Sequence, residues 1–278
     1  MLKALKIFLI VFATLLLFLL MTVSFALWIV FTPEKLTPIV RKEAARYITC
    51  PAEIGGVELT FFSTFPHFGI KVNQIKLINP VPGAPNDTLF RADQLTGIID
   101  LDAWYNNNDI RIEELILSQG AIHLFTDSLG NVNYDILPPL PEEETDTTNV
   151  AAGLENIRFE SVDFSYVDQS AATSVLIQNL TGSLTGTYNS GVLSSRIVTD
   201  KGTVTLEYDK EKYLDKVDLQ LNLQSEMTTD PVKMVIREAS ATLNTLPAEA
   251  AGSFSMDPVS ENLSFDLNFR VASSPVEK

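Results

Sequence analysis

The side chains that could carry out chemistry in this chain are few and far apart. His67 and His123 are the only histidines, and neither has a cysteine or carboxylate at the spacing of a metal-binding motif. The chain has no Gly-x-Ser-x-Gly sequence, no phosphate-binding loop and no recognisable Ser/His/Asp arrangement. Nucleophilic and metal-dependent catalysis both need such sets of residues. The sequence therefore predicts a protein that is not an enzyme and has no catalytic residue, cofactor or metal site.

Two acidic stretches have partial features of cation sites. Residues 127–133 read Asp-Ser-Leu-Gly-Asn-Val-Asn, but they lack the alternating acids and the terminal Glu of a calcium loop. The favoured interpretation of these residues is a hairpin turn. Asp100 and Asp102 are two residues apart and would share one face of a strand, where we interpret them as a solvated strand end.

The remaining candidates are apolar side chains that could contact lipid. Residues 61–66, Phe-Phe-Ser-Thr-Phe-Pro, form the densest aromatic stretch, which could pack into a core or accept an acyl chain. Near the C-terminal end, apolar and polar residues alternate, and this places the apolar ones on one face of a strand. Such a face covers either a second sheet or a lipid chain. The candidate lipid-facing residues are Phe61, Phe65, Leu219, Leu221, Leu263, Phe265, Leu267 and Phe269.

These side chains would be positioned by β-strands. After residue 50 the chain consists of alternating runs separated by turn sequences, without a long helical pattern. This favours antiparallel strands joined by turns and excludes βαβ crossovers. The predicted fold is mainly β, and the strand pattern leaves open whether the sheet is a curved antiparallel groove or a closed β-sandwich. The predicted strands cover residues 57–62, 68–78, 89–101, 110–126, 157–167, 175–188, 193–199, 204–208, 217–223, 233–243 and 263–271.

The N-terminal residues predict a membrane anchor. Residues 7–31 carry no charge and, at ~1.5 Å per residue in a helix, exceed the ~30 Å hydrocarbon core of a bilayer. Lys3 and Lys6 precede this run. We therefore predict a transmembrane anchor over residues 1–31. The alternative is a signal peptide cleaved after Ala26, and both interpretations export the rest of the chain.

The body then divides into four predicted segments. Thr32 is placed as the N-cap of an amphipathic helix within residues 32–50. A first β region, 51–137, is followed by a linker, 138–152, that is rich in proline and acidic residues. A second β region, 153–278, is either short or part of a longer one.

Charge and cysteine content limit the classes of partner and compartment. The formal net charge is −15, which repels phosphate backbones and argues against nucleic acid as a partner. Cys50 is the only cysteine, so no internal disulfide can form. An exported body with so little cysteine fits a bacterial envelope better than a disulfide-stabilised extracellular domain.

The order of several short motifs resembles a known family. After the apolar run and the short helix come AEIGGVEL at 52–59, FFSTFPHFGI at 61–70, LILSQGAI at 115–122 and GNVNYDIL at 130–137. This order resembles the AsmA family of Gram-negative envelope proteins, which are related to TamB and to the eukaryotic bridge-like lipid-transfer proteins. The resemblance covers roughly residues 1–140, and beyond residue 150 only the β pattern is similar.

The resemblance implies a single-pass inner-membrane protein whose C-terminal body lies in the periplasm. It also implies a β groove with an apolar floor, and a role in phospholipid transport or in outer-membrane assembly and homeostasis. The implied partners are phospholipid acyl chains, the inner membrane and envelope proteins. Two alternatives stay open at this point: a membrane-tethered β-sandwich scaffold without lipid cargo, and a secreted β-rich binding domain released by signal cleavage.

Overall fold

A computed structural model describes most of the body of the chain. It covers residues 32–60, 67–99, 112–138, 156–229, 232–256 and 263–271, together with positions 12, 14, 15, 18, 21 and 22. The predicted anchor therefore lies largely outside the described residues, as do Phe61, Phe65, Asp100, Asp102 and most of the predicted linker. In the part that is described, no helix combines the length and apolar character needed to cross a bilayer.

The strands form one sheet of eleven strands in chain order. All neighbouring pairs are antiparallel except β4 and β5, which run parallel. The prediction of a mainly β chain with an open sheet is confirmed, and the closed sandwich is wrong because the described strands form no second layer. The strands are β1 (Ala52–Thr60), β2 (Phe68–Ile78), β3 (Thr88–Ile99), β4 (Ile112–Thr126), β5 (Asn156–Asp168), β6 (Thr173–Asn189), β7 (Val192–Tyr208), β8 (Glu211–Thr229), β9 (Val232–Leu243), β10 (Leu246–Met256) and β11 (Leu263–Val271).

The parallel β4–β5 pair differs from the fully antiparallel arrangement that we expected. β4 ends at Thr126, and the register places Glu114 beside Asn156 and Thr126 beside Asp168. The chain from 127 to 155 therefore leads from the end of β4 back to the level where that strand began. A connection of this length allows a parallel pair, whereas a short turn does not.

The sequence pattern divided one strand into two and missed another. β7 is one strand, although we expected separate strands at 193–199 and 204–208. The register with β8 shifts between Thr199 and Thr203, and this interrupts the alternation without ending the strand. β10 was not predicted at all. Its sequence contains proline, glycine and several alanines, which are poor strand formers, and its pairing with β9 and β11 overrides that preference.

The helix α1 (Pro33–Tyr47) directly precedes the sheet. Thr32 is the extended N-cap, Pro33 occupies the first helical position and Glu34 lies in the first turn. The apolar stripe of α1 packs against a buried cluster on β1 and β2. The contacts are made by Leu36, Val40 and Ala44 of the helix with Ile54, Val57 and Val72 of the strands.

A row of irregular residues crosses the sheet from β2 to β6. Gln74, Gln119, Ser161 and Asn179 have positive φ values of 51°, 52°, 56° and 53°. A residue in this conformation interrupts the strict alternation of side chains. In β2, Val72 and Ile75 consequently join the same apolar cluster although they are three residues apart. The row thus keeps the apolar side chains on one side of the sheet along long strands.

The closely packed core lies at the N-terminal end of the sheet. Three buried clusters, centred on Leu77, Val57 and Leu117, lie between α1 and β5. The returning segment after β4 closes one end, where the amide of Thr49 donates to the carbonyl of Ile136 at 2.8 Å. From β6 onward Val204 is the only buried apolar residue in the described part of the chain. The C-terminal half of the sheet therefore lacks a sealed core.

Candidate functional site

One side of the sheet carries apolar side chains across most of its width, interrupted on β7 and β8 by Ser195 and Ser225, whose hydroxyls are 2.8 Å apart. Residues directly opposite in paired strands share a face, so the register traces rows of side chains. One row crosses eight strands, from β4 to β11, without a polar residue. It consists of Leu115, Ile157, Leu184, Ile197, Leu223, Ala239, Ala250 and Phe269. We call the side of the sheet that carries this row the apolar face.

A second row on the apolar face extends from β2 to β8. It consists of Leu77, Phe90, Ile122, Phe164, Ile177, Val204 and Val217. Phe90 and Ile122 of the second row pack against Leu117. Leu117 lies two residues after Leu115 of the first row and therefore on the same face of β4. Both rows consequently lie on one side of the sheet. The two rows together make a continuous apolar surface that begins near α1 and reaches β11.

The opposite side of the sheet is polar. From β4 to β9, the row at the level of Glu114 contains only polar side chains: Glu114, Asn156, Thr185, Arg196, Gln224 and Glu238. On β3 the row continues with the buried Ile98. Arg158 donates to Glu114 at 2.6 Å, and Arg237 donates to Glu226 at 2.6 Å. Hydrogen bonding and attraction from Arg237 lower the pKa of Glu226. A cleft of about 580 Å³, lined mainly by polar residues, runs along this row and includes Glu114, Asn156 and Arg196.

The apolar face is covered only near its N-terminal end in the described part of the chain. α1 packs over β1 and β2, whereas β8 to β11 carry no second layer. Neighbouring strands shield the sides of Leu219 and Leu221, which are half-buried. On β11 the exposed fractions of Phe265 and Phe269 are 76% and 73%. Large apolar side chains therefore face outward where the sheet ends.

Five of the eight predicted lipid-facing residues form two groups, one on β8 and one on β11. Leu219 and Leu221 lie on β8, and Phe265, Leu267 and Phe269 lie on β11. The register places all five on the apolar face, with β9 and β10 between the two strands. At ~4.8 Å per strand the two groups are about 14 Å apart.

The other three predicted residues give less information. Phe61 and Phe65 lie outside the described residues. Leu263 is the first residue of β11, and its backbone pairs with Met256.

The match to a family model covers nearly the whole chain, from residue 1 to residue 266. The chain belongs to the AsmA family. No curated protein sequence matches it. The family match extends well past residue 140 and includes β5 to β10, where the sequence by itself offered only a β pattern. Membership in the AsmA family suggests an envelope role related to lipid transport.

Sequence reasoning missed the apolar residues that this AsmA protein contributes from β4 to β7. Alternation is present in each of these strands, but it does not reveal which residue lies opposite which. The alanines Ala239, Ala241, Ala248 and Ala250 were missed for another reason. They pair across β9 and β10 on the apolar face, yet alanine carries little hydrophobic signal in a sequence.

Two partly buried titratable groups of the AsmA body have shifted pKa values in the part described. No group of three His, Cys, Asp or Glu side chains there could hold a metal ion. His123 lies beside Ser165, with Nδ1 and Oγ 2.8 Å apart, and burial and the charge of Arg91 lower the pKa of His123. Burial raises the pKa of the Cys50 thiol.

The acidic loop after β4 is a closed turn. One carboxylate oxygen of Asp127 accepts the amides of Leu129 and Asn131, each at 2.8 Å. The Asn131 side chain donates to the other oxygen at 2.7 Å, and these bonds lower the pKa of Asp127. Thr126 and Val132 then form an antiparallel bridge. This geometry agrees with the hairpin interpretation, because the carboxylate is already used by its own turn.

Beyond this turn, the side chain of Asn133 hydrogen-bonds to the backbone of β4 in the part of that strand that β3 does not reach. Its side-chain oxygen accepts the amide of Phe125 at 2.8 Å, and its side-chain nitrogen donates to the carbonyl of His123 at 2.8 Å. Asn133 is fully buried. The side chain replaces the backbone partners that a further strand residue would supply.

Proposed function

We propose that this AsmA protein binds phospholipid acyl chains on its apolar face and contributes to phospholipid transport or to outer-membrane assembly and homeostasis. The proposed location is the inner membrane, with residues 1–31 as a single-pass anchor and the C-terminal body in the periplasm. The observation that carries the proposal is the uninterrupted apolar row from Leu115 to Phe269 on an uncovered side of the described sheet.

The mechanism that we propose is passive shielding. Removing apolar surface from water contributes about 25 cal/mol per Å², or about 0.8 kcal/mol for each CH₂ group. A sheet shields one side of a chain, so a sixteen-carbon chain with half of its surface covered is stabilised by roughly 6 kcal/mol relative to water. That gain lowers the cost of removing the chain from a bilayer.

The proposed function requires no catalysis. The two rows of the apolar face contain no ionisable side chain, so they supply neither an acid, a base nor a nucleophile to a bound lipid. Polar side chains on the opposite side keep the body in water. The described sheet is not the closed sandwich that the lipid-free scaffold alternative assumed, and the lipid measurement below tests that alternative.

Charge placed on either side of β8 tests the proposal. Leu221→Glu with Leu223→Glu puts two carboxylates on the apolar face, and Gln220→Glu with Asn222→Glu puts two on the polar side of the same strand. The measurement is native mass spectrometry of the full chain after mild detergent removal, with phosphorus analysis of the bound lipid. We expect phospholipid on the wild type and on the Gln220/Asn222 variant, and its loss from the Leu221/Leu223 variant.

Two outcomes contradict the proposal. One is a wild-type protein that leaves the detergent without phospholipid, and the other is equal lipid loss from both double variants. The unfolding midpoints of both variants are measured alongside, so that lipid loss through unfolding is recognised.

A further inference from the structure

The polar cleft of about 580 Å³ lies where β4 and β5 begin and carries charged side chains of both signs. It extends from Glu113 and Glu114 on β4, past Asn156 on β5 and Arg196 on β7, to Arg237 on β9. None of its lining residues belongs to the two rows of the apolar face that support the proposed function. The cleft is therefore a separate candidate site.

Two β-bulges bring charged residues into this cleft. The pairing of β3 with β4 skips Glu113, and the pairing of β8 with β9 skips Arg237. Each of the two is thus the extra residue of a bulge, and a bulge redirects a side chain from the strict alternation of its strand. Both residues line the cleft. Bulges are frequent next to active sites for this reason.

Two charges of the cleft are not matched by an ion pair of the kind that Arg158 makes with Glu114. Among the described residues, Glu113 forms an ion pair with no lysine or arginine, and it contacts His67 at 3.5 Å. Nε of Arg196 donates to the neutral side chain of Asn222 at 3.1 Å. This bond orients the guanidinium plane, and no hydrogen bond within the described chain uses its two terminal nitrogens. The cleft therefore offers one negative and one positive group to a ligand.

A buried acceptor without a donor lies at the same end of the cleft as Glu113. Nδ2 of Asn156 donates to Oε1 of the buried Glu114 at 2.9 Å. Because an ionised carboxylate only accepts, the amide nitrogen must face it, and the amide oxygen of Asn156 is directed elsewhere. That oxygen is buried and receives no hydrogen bond from any described residue. A buried acceptor without a donor costs free energy, and a ligand that supplies an N–H removes this cost.

We propose that the cleft binds a phosphoethanolamine group, with its ammonium toward Glu113 and the amide oxygen of Asn156 and its phosphate toward Arg196. A primary ammonium has three N–H donors, which a carboxylate and an amide oxygen accept. A phosphate accepts two parallel hydrogen bonds from the terminal nitrogens of a guanidinium. The same group occurs in soluble esters and in phospholipid headgroups, and the inference does not depend on acyl chains binding to the apolar face.

The lining of the cleft favours a primary over a quaternary ammonium. A quaternary ammonium has no N–H, and proteins bind it through the faces of aromatic rings. No phenylalanine, tyrosine or tryptophan is among the described residues that line the cleft. A choline group would also leave the amide oxygen of Asn156 without a donor. We therefore expect phosphoethanolamine to bind more tightly than phosphocholine by about fivefold or more.

Two soluble esters that differ only in the methyl groups on nitrogen test the cleft. Glycerophosphoethanolamine and glycerophosphocholine are titrated by calorimetry into the full chain in a maltoside detergent, which carries neither amine nor phosphate. The wild type should prefer the ethanolamine ester. Glu113→Gln should weaken that ester and reduce the preference, whereas Arg196→Gln should weaken both esters alike. Glu160→Gln on β5, which lies outside the cleft, is the matched control and should bind both esters as the wild type does.

A second arm distinguishes a lipid headgroup from a soluble ester. The delipidated full chain is incubated with vesicles of equal amounts of phosphatidylethanolamine and phosphatidylcholine, repurified in the same detergent and analysed for bound lipid by mass spectrometry. Enrichment of phosphatidylethanolamine that Glu113→Gln removes identifies a lipid headgroup as the ligand. Equal amounts of the two lipids, together with the preference for the soluble ethanolamine ester, identify a soluble ester.

The absence of an ethanolamine preference in both arms overturns the proposal, and so does equal binding of the ethanolamine group to wild type and Glu113→Gln in both arms. The side chain of Glu113 is 55% exposed, so this variant should fold, and its unfolding midpoint is measured alongside. Total lipid per chain, whatever its headgroup, reports separately on the proposed function. Bound lipid without a headgroup preference in either arm refutes this inference alone, and a lipid-free wild type that still prefers the soluble ethanolamine ester refutes the proposed function alone.

Discussion

The amide of Val57 donates to the hydroxyl of Thr37 at 3.0 Å, and this bond joins α1 to the outer edge of β1. Thr37 is 9% exposed and Val57 1% exposed, so water does not replace the bond easily. The hydroxyl of a helical residue thus takes the place of the carbonyl that a neighbouring strand would present. The helix is part of the sheet's hydrogen-bonding system as well as its apolar cover.

Replacing the hydroxyl of Thr37 should destabilise this N-terminal end of the sheet. Thr37→Val keeps the shape of the side chain but leaves the buried amide of Val57 without its acceptor, at an expected cost of about 1–3 kcal/mol in the free energy of unfolding. Urea denaturation followed by circular dichroism measures the change. Thr37→Ser retains the hydroxyl and should recover most of the loss. Equal stability of Thr37→Val and wild type would show that the bond is unimportant.

A methyl group at Gly182 should force β6 and β7 apart. A Cβ atom there would lie 2.1 Å from the carbonyl oxygen of Val198 and 3.0 Å from the Cα of Thr199. We expect Gly182→Ala to lower the free energy of unfolding by about 1–3 kcal/mol, because backbone atoms must move to make room.

Gly186 of the same strand is the matched control for that substitution. A Cβ at this position would meet its nearest atom, Cδ1 of Leu193, at 3.8 Å, which is an ordinary contact. Gly186→Ala should change the unfolding midpoint little. The interpretation is wrong if the two alanine variants have the same midpoint.

Acidification should weaken the fold through His123. Burial lowers the pKa of this imidazole below its ordinary value of 6.5, the charge of Arg91 lowers it further, and Asp163 opposes the shift. As the pH falls below about 6.5, the unfolded chain takes up a proton before the folded one does, so the free energy of unfolding decreases. Above that pH both states are neutral at His123, and this contribution to the pH dependence is absent.

The measurement compares urea unfolding of wild type and His123→Gln from about pH 7.5 to about pH 5.5. The stability difference between wild type and the variant should shrink or reverse toward acid, because only the wild type has the histidine at this position. His67→Gln, which removes the other histidine, serves as the matched variant and should retain the His123 component. A constant difference between wild type and His123→Gln over this range would contradict the prediction.

Local patterns predicted which residues of an individual strand share a face, as at Leu219 and Leu221. They did not predict the register between neighbouring strands. The side chains that change the alternation, Gln74, Gln119 and Ser161, are not glycines, so their left-handed backbone leaves no mark in the sequence. The stripe of Leu36, Val40 and Ala44 predicted an amphipathic helix. Its packing on β1, and the bond from Val57 to Thr37, depend on tertiary contacts that the helix pattern does not contain.

The candidate surface was predicted only where large side chains alternate. Phe265, Leu267 and Phe269 stand out in the sequence, whereas Ala239 and Ala250 of the same row do not. Whether such residues are sealed in a sandwich or remain open depends on the partners of whole strands. The sheet order therefore decided a question that side-chain periodicity had left open.

The order of the strands in the sheet is the same as their order along the chain. Each strand after the first pairs with the strand that precedes it in the chain, so the conformational search is local at every step except between β4 and β5, which residues 127–155 separate. Assembly can start at β1, against α1, and proceed by the addition of one strand after another. The architecture can also gain or lose a hairpin during evolution, and each such event changes the reach of the molecule by about 10 Å without rearranging the strands already in place.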